Sequence, residues 1–140
     1  MIHPAPTTPI APTLARGVLE SASDSHVVVE FPNTSYQLHL VPTSPVASPV
    51  GKRIVGTIRA QARRVDVVNT GGSYVEPVAG RPRRVQGRVV STDPQHNTIV
   101  VNAGMPIHLA LTDQRQRAGQ FQTGDLVSTD VLDGATFSPL

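Results

Sequence analysis

In the stretch from position 52 to 88, Lys52, Arg53, Arg59, Arg63, Arg64, Arg81, Arg83, Arg84 and Arg88 face only two carboxylates, Asp66 and Glu76, a net charge of +7. Guanidinium groups make forked, charge-assisted hydrogen bonds to carboxylates and phosphates, so this segment is a candidate docking surface for an anionic partner. Its flanks carry the opposite sign. Residues 1 to 51 set Arg16 against Glu20, Asp24 and Glu30, a net −2. Residues 89 to 140 set Arg115 and Arg117 against Asp93, Asp113, Asp125, Asp130 and Asp133, a net −3. The overall +2 therefore hides a basic middle between acidic ends.

Other chemistries find less support. The chain has five histidines, with His26 and His96 in similar polar stretches, yet no second ligand stands at a short spacing such as His-x-His, and no metal site is expected. With no cysteine, thiolate catalysis, Cys-ligated zinc and disulfides are all excluded. No Gly-x-Ser-x-Gly elbow marks an activated serine; the serines gather at 21 to 25 and 44 to 48, where turn chemistry accounts for them. Phosphate-loop and dinucleotide fingerprints are absent, and Gly71-Gly72 reads as a turn before a strand. Asn33-Thr34-Ser35 matches a glycosylation triplet of a kind frequent by chance. No catalytic residue, cofactor or small-molecule substrate is expected.

The elements that carry these residues are strands. Hydrophobic residues make up 39% of the chain but aromatics only 4%, leaving the apolar part to Val, Ile and Leu, which favour pleated structure. Thirteen prolines and eleven glycines interrupt the chain too often for helices of ordinary length. The expected fold class is all-β.

One order of features occurs twice. Gly17-Val18-Leu19-Glu20-Ser21 corresponds to Gly87-Arg88-Val89-Val90-Ser91, and each leads through a polar turn, 22 to 26 or 92 to 97, into Val27-Val28-Val29 or Ile99-Val100-Val101. Next come Tyr36-Gln37-Leu38-His39-Leu40 and Ile107-His108-Leu109-Ala110-Leu111, apolar at every second position and so with one buried face. The stretches opening at Gly51-Lys52 and Gly124-Asp125 then match, and the heptads Gly72 to Val78 and Gly134 to Leu140 share Gly, Pro and apolar positions without a gap. An internal duplication follows. The first copy is longer because 59 to 70 reads as an insertion, extending its fourth strand or adding a hairpin.

Five short strands per copy are the number of a small OB-like or SH3-like barrel. Gly-x-Val, a turn, Val-x-Val, a polar hairpin and then Phe121-x-x-Gly124-Asp125-x-Val127 resemble the small OB-like barrels found in many bacterial proteins of unknown function. The first copy keeps Gly51 but has Lys52 in place of the Asp. The resemblance implies two tandem barrels and brings no catalytic residue with it.

The expected organisation is an extended Pro-rich arm at 1 to 13, a first barrel at 14 to 78, a basic linker at 79 to 84 and a second barrel at 85 to 140. Units of this size bury little surface alone and should pack side by side. No stretch approaches the roughly 20 apolar residues of a membrane span and no secretory leader is evident, so a soluble, cytoplasmic protein without membrane contact is expected. The functional expectation is a non-catalytic interaction module, a structural or adaptor subunit that binds a protein partner or its own copies, the basic middle meeting an acidic flank and strand edges offering further pairing. The alternative is salt-sensitive binding of single-stranded RNA or DNA through 52 to 88. Against it, base stacking has only Phe31, Tyr36, Tyr74, Phe121 and Phe137 to draw on, and most fall on the apolar phase.

Overall fold

A computed structural model describes residues 11–140. Residues 1 to 10, most of the expected Pro-rich arm, lie outside the described residues.

The expected all-β class holds: the described residues form one mixed sheet of eleven strands, with no helix beyond two short 3-10 turns at Pro94–His96 and Ala118–Gln120. The strands are β1 (Ala15–Ala22), β2 (Val27–Glu30), β3 (Gln37–Pro42), β4 (Arg53–Val67), β5 (Tyr74–Glu76), β6 (Ala79–Gly80), β7 (Arg84–Asp93), β8 (Thr98–Asn102), β9 (Pro106–Leu111), β10 (Leu126–Val131) and β11 (Thr136–Pro139). None of the described helical segments is long and apolar enough to cross a membrane.

The ladders close two circuits that share one strand. In the first, β1, β2 and β3 form an antiparallel meander; β11 pairs in parallel with β3 and antiparallel with residues 56 to 59 of β4, and β4 returns to β1 through 53 to 56. In the second, β7, β8 and β9 form the meander, residues 59 to 62 of β4 pair in parallel with β9, and 62 to 67 pair with β10, which returns to β7. Closure of this kind leaves few free edges, so the expected route of adding a partner strand along an exposed edge is largely shut among the described residues.

Matched local details explain why the two meanders look alike in sequence. The ladder between β1 and β2 slips between Leu19 and Ser21, and that between β7 and β8 slips between Val89 and Ser91. Gly17 and Gly87 each occupy a point where the neighbouring strand leaves no room for a side chain: a Cβ at Gly17 would lie 2.7 Å from the Glu30 carbonyl oxygen, and one at Gly87 would run into the Asn102 carbonyl. The turns before the fourth strands bond alike, Gly51 N–H to the Leu19 carbonyl at 2.7 Å and Gly124 N–H to the Val89 carbonyl at 2.8 Å.

Residues 59 to 70 take the first of their two expected forms, an extension of the fourth strand: β4 runs unbroken from 53 to 67, and its far half closes the second circuit as β11 closes the first. Two expectations need correction. The heptads 72 to 78 and 134 to 140 are not equivalent, since β5 pairs with the start of β7 whereas β11 lies between β3 and β4. The stretch 79 to 84 is not a free linker, because Ala79 and Gly80 pair with Gln37 and Leu38 and Arg84 opens β7. Pairing thus crosses the expected boundary between 14 to 78 and 85 to 140 in both directions.

One continuous core results. Leu19, Val27, Val29, Leu38, Leu40, Ile58 and Phe137 fill the first circuit's side, and Val85, Ile99, Val101, Ile107 and Leu109 the second's, all nearly inaccessible. Beyond Ala62, where the β4–β9 ladder ends, the Gln116 side chain takes over that edge of β4 as a surrogate strand, accepting from Val65 N–H at 2.8 Å and donating to its carbonyl at 2.6 Å. No buried side-chain polar atom among the described residues lacks a partner.

Candidate functional site

The alternation of β4 sorts its side chains by charge. Ile54, Ile58, Ala60 and Ala62 point inward, and Arg53, Arg59 and Arg63 point outward. Arg16 on β1 stands opposite Val55 in the same outward phase, so four cations share this face. From Arg53 to Arg63 the row extends ~33 Å at the usual strand rise. Arg59 is steadied by a 3.0 Å hydrogen bond to the Ser138 hydroxyl, which also accepts from Thr43 at 2.8 Å. Among the described residues no carboxylate lies within ion-pair distance of Arg16, Arg53, Arg59 or Arg63. The exposed carboxylate on this part of β1 is Glu20, four residues beyond Arg16.

The remaining expected site residues lie elsewhere and are mostly engaged. Lys52 sits exposed in the turn before β4, and Arg83 is exposed at the entry to β7. Arg64, beside the ladder break, turns to Asp66 at 2.9 Å. Arg81 pairs with Asp133 at 3.0 Å. Arg84, half-buried, bonds Asp130 at 2.7 Å and the Ser128 hydroxyl at 2.7 Å; hydrogen bonding to the Tyr74 hydroxyl and to Asp130 raises its already high pKa, against a smaller opposing effect of burial. Arg88 donates to the Gly124 carbonyl at 2.9 Å. Asp130 stands opposite Arg84 on one side and the Arg63–Arg64 break on the other, interrupting any continuous basic surface. The nine cations of 52 to 88 therefore do not form one patch, and the acidic segment expected to meet a neighbouring molecule is partly spent on Arg81 and Arg84 of its own chain.

The aromatic side chains are not available for stacking. Phe31, Phe121 and Phe137 are buried. The half-buried tyrosines have committed hydroxyls, Tyr36 accepting from Val75 N–H at 3.2 Å and Tyr74 bonding the Gln86 side chain at 3.2 Å.

A second constellation escaped the sequence reading. A concave site of about 320 Å³ opens where the β1–β2 turn, β3, the residue after β6 and the β10–β11 turn meet; it is lined by Ser25, His26, His39, Arg81 and Asp133 over a floor including Leu40, Val41 and Ala135. The His26 and His39 rings stack with centroids 6.4 Å apart and planes 14° from parallel. Ser23 Oγ lies 3.2 Å from His26 Nδ1, which leaves Nε2 directed elsewhere. In the second circuit the corresponding histidines are differently employed: His96 Nδ1 contacts Asp93 at 2.7 Å and His108 Nε2 bonds the Thr13 carbonyl at 2.9 Å. The sequence match of the third strands sets His39 against Ala110, and only the registers, with His39 opposite Val28 and His108 opposite Val100, make the two histidines equivalent; His26 and His96 drew attention only to each other. Among the described residues no group of three or more His, Cys, Asp or Glu is arranged to hold a metal ion.

No protein-family model matches the chain, and neither a curated protein nor a solved structure matches it.

Proposed function

We propose that the protein is a non-catalytic interaction module, a structural or adaptor subunit that docks an acidic protein surface against the arginine row of β4. The observation that carries this reading is the shared outward face of Arg16, Arg53, Arg59 and Arg63, exposed and without carboxylate partners among the described residues. Unpaired guanidinium groups on a strand held at both edges form a preorganised surface, so little ordering entropy opposes docking. Complementary charge of this kind sets orientation and association rate more than affinity. In the same reading the two meanders descend from one duplicated small barrel of OB-like or SH3-like type, and the exchange of closing strands through β4 and β11 makes them a single rigid platform.

The competing reading, single-stranded RNA or DNA along the same row, lacks an exposed stacking platform because three of the five aromatic residues are buried and the two tyrosines are half-buried. Four phosphate contacts on a single strand give a salt slope near −2.8, or roughly 50-fold weaker binding between about 50 and 200 mM salt.

The test compares the wild type with the R16Q/R53Q/R59Q/R63Q variant. Fluorescence anisotropy follows labelled poly-glutamate and a labelled single-stranded oligonucleotide, and quantitative affinity capture from native extract follows protein partners. The docking reading expects poly-glutamate binding and specific protein partners that the variant loses together. Tighter oligonucleotide binding with the steep salt slope would replace it with the nucleic-acid reading. Equal behaviour of wild type and variant with every probe would remove the arginine row as a site.

A further inference from the structure

The cleft between the two stacked histidines and Arg81 is chemically separate from the arginine row, and its donors point to a ligand class. An imidazole nitrogen directs its lone pair or its N–H within the ring plane. Stacked rings 14° from parallel, with centroids 6.4 Å apart, aim those vectors along two separate planes. Rings so nearly parallel are poorly placed to converge on one metal ion, whereas an anion with several oxygens can accept one hydrogen bond from each ring. Arg81 spends one terminal nitrogen on Asp133 at 3.0 Å, and its remaining N–H groups stay free of protein partners among the described residues. Ser25 adds a hydroxyl at the rim. His39 makes no protein hydrogen bond through its ring among the described residues, and His26 leaves Nε2 unused.

We propose that this cleft binds an oxyanion of the phosphate class, held by His26, His39 and Arg81. The space of about 320 Å³ exceeds what bare phosphate fills, and the exposed Val41 side chain, on the same face of β3 as His39, supplies an apolar wall. A small organic phosphomonoester therefore fits better than inorganic phosphate. Asp133 is the opposing element: its carboxylate repels the ligand and competes for Arg81. The Arg81–Asp133 pair is 71% and 68% exposed at its side chains, and solvent-exposed pairs of this kind are weak enough to be exchanged for a ligand.

The experiment uses the full chain and follows imidazole proton and nitrogen resonances by NMR while inorganic phosphate or phenyl phosphate is added. The His26 and His39 signals should move saturably and those of His96 and His108 should stay, with phenyl phosphate binding more tightly. R81Q should weaken binding at least tenfold, the loss expected of a charge-assisted contact. D133N should strengthen it about six- to tenfold, as removal of one unit charge ~6 Å from a ligand of charge about −1.5 to −2 requires in water-like screening. The two variants have opposite expected signs, and D133N retains the side-chain shape, so loss of fold in R81Q would still leave a decisive measurement. Weaker phosphate binding in D133N, or parallel drift of all four histidines, overturns the proposal. Zinc chloride binding at His26 and His39 that D133N weakens and R81Q strengthens would assign the cleft to a cation instead.

Discussion

Phe137 stands three positions before Leu140, and Phe137→Ala should disrupt the part of the fold most distant from it in sequence. Its ring is 1% exposed, among the largest fully buried side chains. It lies over Gly56, where even a Cβ would approach ring atoms to 2.5 and 2.8 Å, so the ring is closely packed against β4. Neighbouring residues of β11 pair with β3 on one side and β4 on the other, leaving the surrounding strands little freedom to collapse into the space. Truncating a buried phenyl ring costs about 3–5 kcal/mol when the site cannot relax. Against the ~5–15 kcal/mol total stability of an ordinary domain this is a large fraction. Urea unfolding gives the total, and native-state hydrogen exchange gives its location. Because β11 completes the circuit of β1, β2 and β3, the amides of those strands and of residues 53 to 59 should lose most protection. If 85 to 140 were instead a self-contained unit, the loss would centre on β7, β8 and β9. A cost below about 1 kcal/mol, or exchange increased only in the second meander, would refute the strand-exchange reasoning.

Gly17→Ala and Gly87→Ala should each destabilise by roughly 2–4 kcal/mol, because a Cβ meets a backbone carbonyl that the ladder holds in place; thermal or urea melts check this, and near-neutral effects at both would mean the strands are looser than their register implies. The Arg115 guanidinium and backbone N–H bond the Asp113 carboxylate and lower its pKa to about 2. Since the folded value lies below the unfolded one, the stabilising contribution is complete above the ordinary carboxylate range and is lost as pH falls through about 2. A carboxyl-carbon NMR titration should place the Asp113 midpoint there, and Arg115→Gln should raise it part of the way to the ordinary range, the backbone N–H of residue 115 keeping the remainder.

The meanders were legible because their signals are local. Alternation in Gln37 to Leu40 and Ile107 to Leu111 fixes which face is buried, and Gly17 and Gly87 mark the same close approach twice. The closing strands were not. Ala62 and Phe137 fill corresponding places beside β9 and β3, yet one continues a strand of fifteen residues and the other follows a turn after β10. Pairing of 62 to 67 with 127 to 131 joins residues sixty or more positions apart and leaves no periodic trace of its own. The heptads 72 to 78 and 134 to 140 look alike because turn-then-strand chemistry reuses Gly, Pro and Val, whereas their partners are selected by which strand edges are open when they arrive.

The same distinction governs the charges. A count along the chain adds every arginine from 52 to 88 into one basic block, but electrostatic attraction depends on what lies within a few ångströms. Asp130 and Asp133, from the acidic end of the chain, return to Arg84 and Arg81 because β10 pairs with β7 and the turn into β11 passes the end of β6. Outward alternation on β4 has the opposite consequence: it keeps Arg53, Arg59 and Arg63 beyond ion-pair distance of those carboxylates, and β1 brings Arg16 beside them from a segment whose net charge is negative. A residue from an acidic block thus completes the basic face, while three residues of the basic block, Arg64, Arg81 and Arg84, are engaged in ion pairs. Any partner that reads charge on this protein should accordingly respond to Arg16 as strongly as to Arg53 or Arg63, and little to Arg84.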